Sequence, residues 1–457
     1  MNCILRTALP IALALVSGLE GMDGARAADG PIAIQAARIV TAEGDEIAGG
    51  TILVESGRIQ AIGNDIVVPP EAQLLRFPDG VVLPGLVHPH TTAGLRVVNE
   101  NLPDVPYISV LDGIDPNVPE FRAALRGGVT TLHVIPGNAT RFGGQGAVLR
   151  PVGALPEAMA VKSPSALKIS LAPPSGETRM AHMAQLRRTF DGLHTHLTRL
   201  LPPPPAGLLS SRPATEAELA ALIGAPPDWK SLDWDRIPRD KIEEQRRPLA
   251  DLVRGILPAF LYCPRAADVF KAFELMDAHN IRATLILGPD GYKAVPLLIG
   301  RSGLGPVVID PDLVQYEENP ETGDERRILA ARAFHDAGIP FAIQTRDERG
   351  GGRGSGQVLS RDPASVLWYQ AIRLAQQGIP RADAVRAATI HPARALGLDH
   401  RLGSLAKGKD ANLVVFSGDP FDARSWVDLV VIEGRTAYRR DEDPDLRELL
   451  RRPERKF

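Results

Sequence analysis

The sequence predicts a mixed α/β protein, a (β/α)8 barrel carrying a small β-sandwich domain built from both ends of the chain. Three observations predict this. Short β-branched runs at 32–40, 51–55 and 58–62 are answered near the other end by runs at 411–416 and 427–433, so the two ends are expected to share one sheet system. Between them, strand-like and amphipathic helical segments alternate about eight times, as they do in a barrel of parallel strands. The 457 residues, 44% hydrophobic and 23% charged, suit one large barrel with a small second domain and exclude general disorder.

The first residues read as an export signal. Arg6 supplies a positive start, 9–16 is a short apolar run, and Ala25-Arg26-Ala27 is a small-x-small cleavage site. This predicts removal of 1–27 and a periplasmic location. The apolar run is too short to span a bilayer, and no later segment has the length for it, so no integral membrane segment is expected. Cys3 falls in the signal. Cys263 is then alone and forms no internal disulfide. The expected division is 28–80 with 401–440 as the composite β domain, 81–400 as the barrel and 441–457 as a charged tail.

Within the barrel, strands are expected at 82–87, 130–135, 147–151, 167–171, 259–263, 282–287, 306–309 and 340–345. Helices are expected at 120–126, 266–279, 326–336, 364–377 and 381–388. Two segments interrupt the alternation. An insertion at 201–247 opens with the tetraproline run Pro202 to Pro205, a stiff spacer, and carries a short helix at 216–222 with Trp229 and Trp234. The Gly-rich stretch 350–356 lacks the Gly-Lys-Ser/Thr ending of a phosphate loop and reads as a loop or lid.

Charge excludes some partners. Lys and Arg number 52 against 55 Asp and Glu, a formal net charge of −3 with no long-range pull toward nucleic acid. The 12 Phe, 6 Tyr and 4 Trp are too few for a base-stacking groove.

Four motifs resemble those of the amidohydrolase superfamily. They are Gly57-Arg58-Ile59-x-x-Ile62-Gly63, Pro84-Gly85-Leu86-Val87-x-Pro89-His90, Gly128-Val129-Thr130-Thr131, and Pro392-Ala393-x-x-Leu396-Gly397 with Gly403-x-Leu405-x-x-Gly408-Lys409-Asp410-Ala411-x-Leu413. The resemblance runs from about Arg38 to Tyr438, with the imidazolonepropionase-like branch nearest. It implies a barrel flanked by a split β-sandwich, hydrolysis of a C–N bond in a cyclic amide or dipeptide, and one or two divalent metal ions, usually zinc. It places metal ligands at a His-x-His pair after strand 1, a Lys or Glu at strand 4, a His at each of strands 5 and 6, and an Asp at strand 8.

The residues at those positions are a reduced set. Strand 1 offers His88 and His90. At i and i+2 of an extended strand, they point to one side. Strand 4 offers Lys168. At strand 5 the His positions hold Tyr262 and Pro264, and Cys263 between them faces the other way as core. Strand 6 has Ile286 and Leu287, which cannot bind a cation. At strand 8 the Asp position falls on Arg346 or on Asp347. Candidate metal ligands are therefore His88, His90, Asp347 and Lys168, with Asp347 the candidate catalytic residue. His194 and His196 lie two apart on a helical run and do not share a face, and His133 reads as core.

A divalent cation with so few protein ligands stays largely hydrated, so zinc is expected to be weakly held or absent. The first expectation is an exported, catalytically impaired paralogue that binds a small ligand, as a homo-oligomer or beside an active amidohydrolase. The alternative is an active mononuclear hydrolase using His88, His90 and Asp347. A third reading is a scaffold docking a partner through its proline-rich insertion. Arg265, Lys293 and Arg346, with Lys168, are candidates to gather at the barrel mouth and bind a carboxylate or phosphate.

Overall fold

The structure is a computed structural model that describes residues 30–201, 229, 232–346 and 366–451. The export signal, the proline run, the helix expected at 216–222 and the Gly-rich stretch 350–356 lie outside the described residues.

Both ends of the chain meet in one sheet. Its order is β20 (Arg435–Arg439), β19 (Val427–Ile432), β18 (Leu413–Phe416), β5 (Gln73–Pro84), β1 (Ile32–Ile39), β3 (Thr51–Glu55) and β4 (Arg58–Gly63), with β2 (Ile47–Ala48) on β1. The joint is the antiparallel β5–β18 pair, where Leu413 faces Pro84 and Phe416 faces Val81. One face of this sheet buries every second residue, including Ile32 and Ile34, Ile52 and Val54, Leu413 and Val415, and Leu429 and Val431. That alternation is what the β-branched runs encode, because a pleated strand turns successive side chains to opposite faces.

Two further ladders hold the inner strands. One runs β10 (Ala160–Lys162), β9 (Ala147–Leu149), β7 (Val129–Val134), β6 (Leu86–Thr91). The other runs β17 (Phe341–Ala342), β14 (Val307–Val308), β13 (Ala283–Leu287), β12 (Ala259–Cys263), β11 (Leu167–Ser170), β8 (Phe142–Gln145). The β6–β7 pair and the run β11–β12–β13–β14–β17 are parallel. Their shared interior is apolar, with Val87, Ile135, Val148, Phe260, Ile286, Val308 and Ala342 in one buried cluster. Ala393, Leu396, Leu398 and Leu402 complete that cluster from helix Ile390–Ala395 and the residues after it. Thr284, near the start of β13, donates to the Ala395 carbonyl, so this plug lies at the N-terminal ends of the strands.

Three sequence expectations are corrected. The strand expected at 82–87 is two strands, β5 and β6, parted at Gly85, where a Cβ would meet Thr130 Oγ1 at 2.2 Å. Only glycine lets the chain pass from the outer sheet to the inner ladder there. The third inner strand is not parallel: β8 runs antiparallel to β11 and β9 antiparallel to β7, joined through Gly146. The connection after β7 is too short for a crossover helix, which a parallel pairing would require. The first residues of the helix expected at 326–336 form strand β16 (Glu325–Leu329), paired with β15 (Val314–Glu318) in a hairpin whose turn uses Gly323 at φ 71°. The helix itself starts at Ala330.

Candidate functional site

His88 and His90 leave β6 on the same side, as the i, i+2 spacing predicts, and meet the segment after β17. His90 Nδ1 lies 2.8 Å from Gln344 Oε1, and the Gln344 side-chain amide donates to the Ile309 carbonyl at 2.9 Å. The amide NH2 is thus spent on Ile309, so the oxygen faces His90, and the imidazole must carry its proton on Nδ1. The bare Nε2 then points at Lys168 Nζ, 2.8 Å away. Lys168 is wholly buried and also donates to Asn138 Oδ1 at 2.6 Å. Asn138 is held in turn by Ser170 Oγ, which donates to its backbone carbonyl at 2.6 Å.

His88 takes a different partner. Its Nε2 lies 2.8 Å from Thr345 Oγ1 and accepts the Thr345 backbone N–H at 3.3 Å. Its Nδ1 is buried with no hydrogen-bond partner among the described residues. Burial holds His88 neutral, its pKa pushed down to about 4. His90 is depressed well below the usual imidazole value, first by burial and then by the Lys168 charge. His133 is fully satisfied, donating from Nδ1 to the Pro89 carbonyl at 2.8 Å with Nε2 2.9 Å from Ser165 Oγ, and is core as expected.

Among the described residues, β12 and β13 bring no hydrogen-bonded network of this kind. Tyr262 is half-buried, with Lys168 Nζ 5.9 Å from its ring centre, while Ile286 and Leu287 are buried. Strands β12 and β13 close tightly above them: a Cβ on Gly288 would stand 2.4 Å from the Pro264 carbonyl oxygen. Cys263 is buried on the other face, its thiol pushed well above its ordinary pKa by burial.

The cations expected at the mouth separate. Lys293 pairs with Glu317 on the β15–β16 hairpin at 2.6 Å, Arg346 pairs with Asp312, and Arg265 is exposed at the start of helix Ala266–Ala278. Only Lys168 joins the histidines. Asp347 lies outside the described residues.

Sequence reasoning passed over Gln344, Thr345 and Asn138. The signal for Gln344 was present, since it stands two residues beyond the interior Ala342 and so faces the same way. Asp310, two beyond the interior Val308, was missed too, and burial pushes its carboxyl up to about 6.

A divalent metal does not fit the donors that the described residues supply. Both His90 nitrogens are committed, one of them to an ammonium, and strands β12 and β13 offer no lone-pair donor beyond the Tyr262 hydroxyl at the positions expected for ligands. Among the described residues, no three His, Cys, Asp or Glu side chains gather as a metal site.

A sequence profile of the Amidohydrolase family matches residues 276–437. The crystal structure of an amidohydrolase from Thermotoga maritima superposes with a TM-score of 0.70 at 25% identity, covering 90% of this chain and all of that one. The resemblance to the amidohydrolase superfamily is thus borne out by a family match over residues 276–437 and by the fold of that neighbour. An amidohydrolase of Hapsidospora irregularis is 23% identical over 419 residues, 85% of this chain and 40% of the relative. The imidazolonepropionase of Geobacillus kaustophilus is 36% identical over 87 residues, 19% of this chain and 18% of the relative. The matches thus span well under two thirds of these relatives. Members of the matched family usually bind divalent metals.

Proposed function

We propose that this amidohydrolase-superfamily chain is a catalytically impaired paralogue that binds a small ligand at the C-terminal ends of its inner strands, alone or beside an active relative. The observation that carries this reading is the Lys168–His90 hydrogen bond of 2.8 Å. It occupies the imidazole lone pair that a catalytic metal needs, on a frame whose class reaction is hydrolysis of C–N bonds through metal-activated water. In the same reading the two inner ladders form one (β/α)8-type barrel over 81–400, 28–80 and 401–440 form a composite domain, and the protein is exported to the periplasm. The imidazolonepropionase-like motifs supply the ligand class, a small cyclic amide or dipeptide. No helix among the described residues is long and apolar enough to cross a membrane.

The second reading, an active mononuclear hydrolase using His88, His90 and Asp347, is favoured by one observation: the buried, unpartnered Nδ1 of His88. Elemental analysis of protein purified without chelator, with a hydrolysis panel of cyclic amides and dipeptides, separates the two. Substoichiometric zinc and no turnover are expected. One zinc per chain, lost together with hydrolysis on His90→Ala, establishes the second reading instead.

A further inference from the structure

We propose that the Lys168 ammonium is a tethered cation standing in for a metal ion, organising the C-terminal face of the inner strands by donating hydrogen bonds where a metal would accept lone pairs. The inference rests on the reading of the site as one without a functional metal. It concerns what took the metal's place.

A catalytic metal in such a frame ties several strands together through the lone pairs aimed at it. In this chain β11 brings a positive charge and no lone pair of its own. Two neutral electron-pair donors, His90 Nε2 and Asn138 Oδ1, converge on Lys168 Nζ at 2.8 and 2.6 Å. These are the kinds of atom that would otherwise face a cation, and the arrangement leaves them satisfied around a buried ammonium, where an unmatched polar atom is costly.

The hydrogen bonds also have one direction. Lys168 donates to His90, His90 donates to Gln344, and Gln344 donates to the Ile309 carbonyl. A positive charge at the head polarises every bond after it, and such chains strengthen cooperatively. The path starts on β11, crosses β6 and the segment after β17, and ends beside β14. It links β6 to the β17 segment by side chains, and His88 adds a second link to Thr345.

The test compares the full-length protein with Lys168→Met and Lys168→Glu, using zinc chloride and a chelator as probes. The readouts are the melting temperature, bound zinc and the imidazole 15N resonances of His90. The wild type is expected to melt at one temperature with zinc, with chelator or with neither. In Lys168→Met, melting falls by several degrees, zinc does not restore it, and the His90 Nε2 resonance moves because its donor is gone. In Lys168→Glu a carboxylate joins His90 and Asn138 around the vacated position. Zinc is then expected to bind at about one per chain and raise the melting temperature, an effect abolished by adding His90→Ala.

A Lys168→Met protein with wild-type melting and an unmoved His90 resonance overturns the proposal. So does a Lys168→Glu protein indifferent to zinc, and this arm decides alone if the methionine variant does not fold. A wild type that holds one zinc overturns the underlying reading instead. A zinc-free wild type that fails the lysine arms overturns only the stand-in role.

Discussion

The two sides of the inner-strand interior have opposite characters. On the side of β6, β11 and the segment after β17, His90, Lys168, Gln344 and Asn138 form a polar network with defined donors and acceptors. On the side of β12 and β13, Ile286 and Leu287 are buried and Gly288 packs against the Pro264 carbonyl. Both sides include positions that the sequence resemblance assigns to metal ligands. On the β12–β13 side, core residues gain apolar burial at about 25 cal/mol per Å². The other side holds polar atoms hydrogen-bonded to Lys168. The comparison teaches that a buried polar group persists only where a partner satisfies it.

The largest effect expected from breaking this contrast is on the polar side. His90→Ala removes an acceptor from a buried ammonium and a donor from Gln344, and is expected to cost about 3 kcal/mol, the penalty of leaving a buried polar group unsatisfied, greater for a charged one. Urea denaturation measures it, and a cost below about 1 kcal/mol would mean the network contributes little.

Acid comes next. Burial holds His88 near 4 and His133 near 3, against 6.5 for an exposed imidazole. The unfolded chain therefore takes up protons that the folded chain refuses. The stability is fully present above about pH 6.5 and is lost as pH falls from there toward 4. His88 alone contributes on the order of 3 kcal/mol to that loss. Stability measured at pH 7, 5.5 and 4.5 should fall at each step, and His88→Asn should flatten the slope.

On the apolar side the expected effects are smaller. Gly288→Ala drives a Cβ against a backbone oxygen that cannot rotate away, at about 1–3 kcal/mol. A variant as stable as the wild type would show that β12 and β13 part easily. The smallest effect sharpens the difference between the two histidines. Thr345→Val removes the hydroxyl from His88 but leaves the backbone N–H contact at 3.3 Å, so about 0.5–1.5 kcal/mol is expected. Its His90 resonances should be unchanged, because the Lys168–His90–Gln344 path does not pass through Thr345.

Much of the fold was legible in the sequence because it is written in local patterns. The runs at 32–40 and 411–416 alternate with period two, and β12 stands at the expected 259–263 and helix Arg381–Ala388 at the expected 381–388. The antiparallel segment 142–149 was not legible, because an apolar run states that a strand exists and not which neighbour it pairs with. The β15–β16 hairpin was misread for a similar reason. Glu325-Arg326-Arg327 is compatible with a helix, and only pairing with Val314–Glu318 makes it a strand.

The candidate site divides the same way. The sequence by itself determined what strands 5 and 6 cannot do, since Pro264, Ile286 and Leu287 carry no ligand atom in any conformation. It also determined that His88 and His90 share a side, because that follows from the pleat. Only the tertiary structure decided what the remaining polar residues do. Lys168 and His90 are 78 positions apart, and His90 and Gln344 are 254 apart. Whether a buried lysine meets a lone pair or another charge is fixed by the packing of strands distant in sequence. Burial then sets which imidazole nitrogen holds the proton, because in a dry interior every donor must find its acceptor.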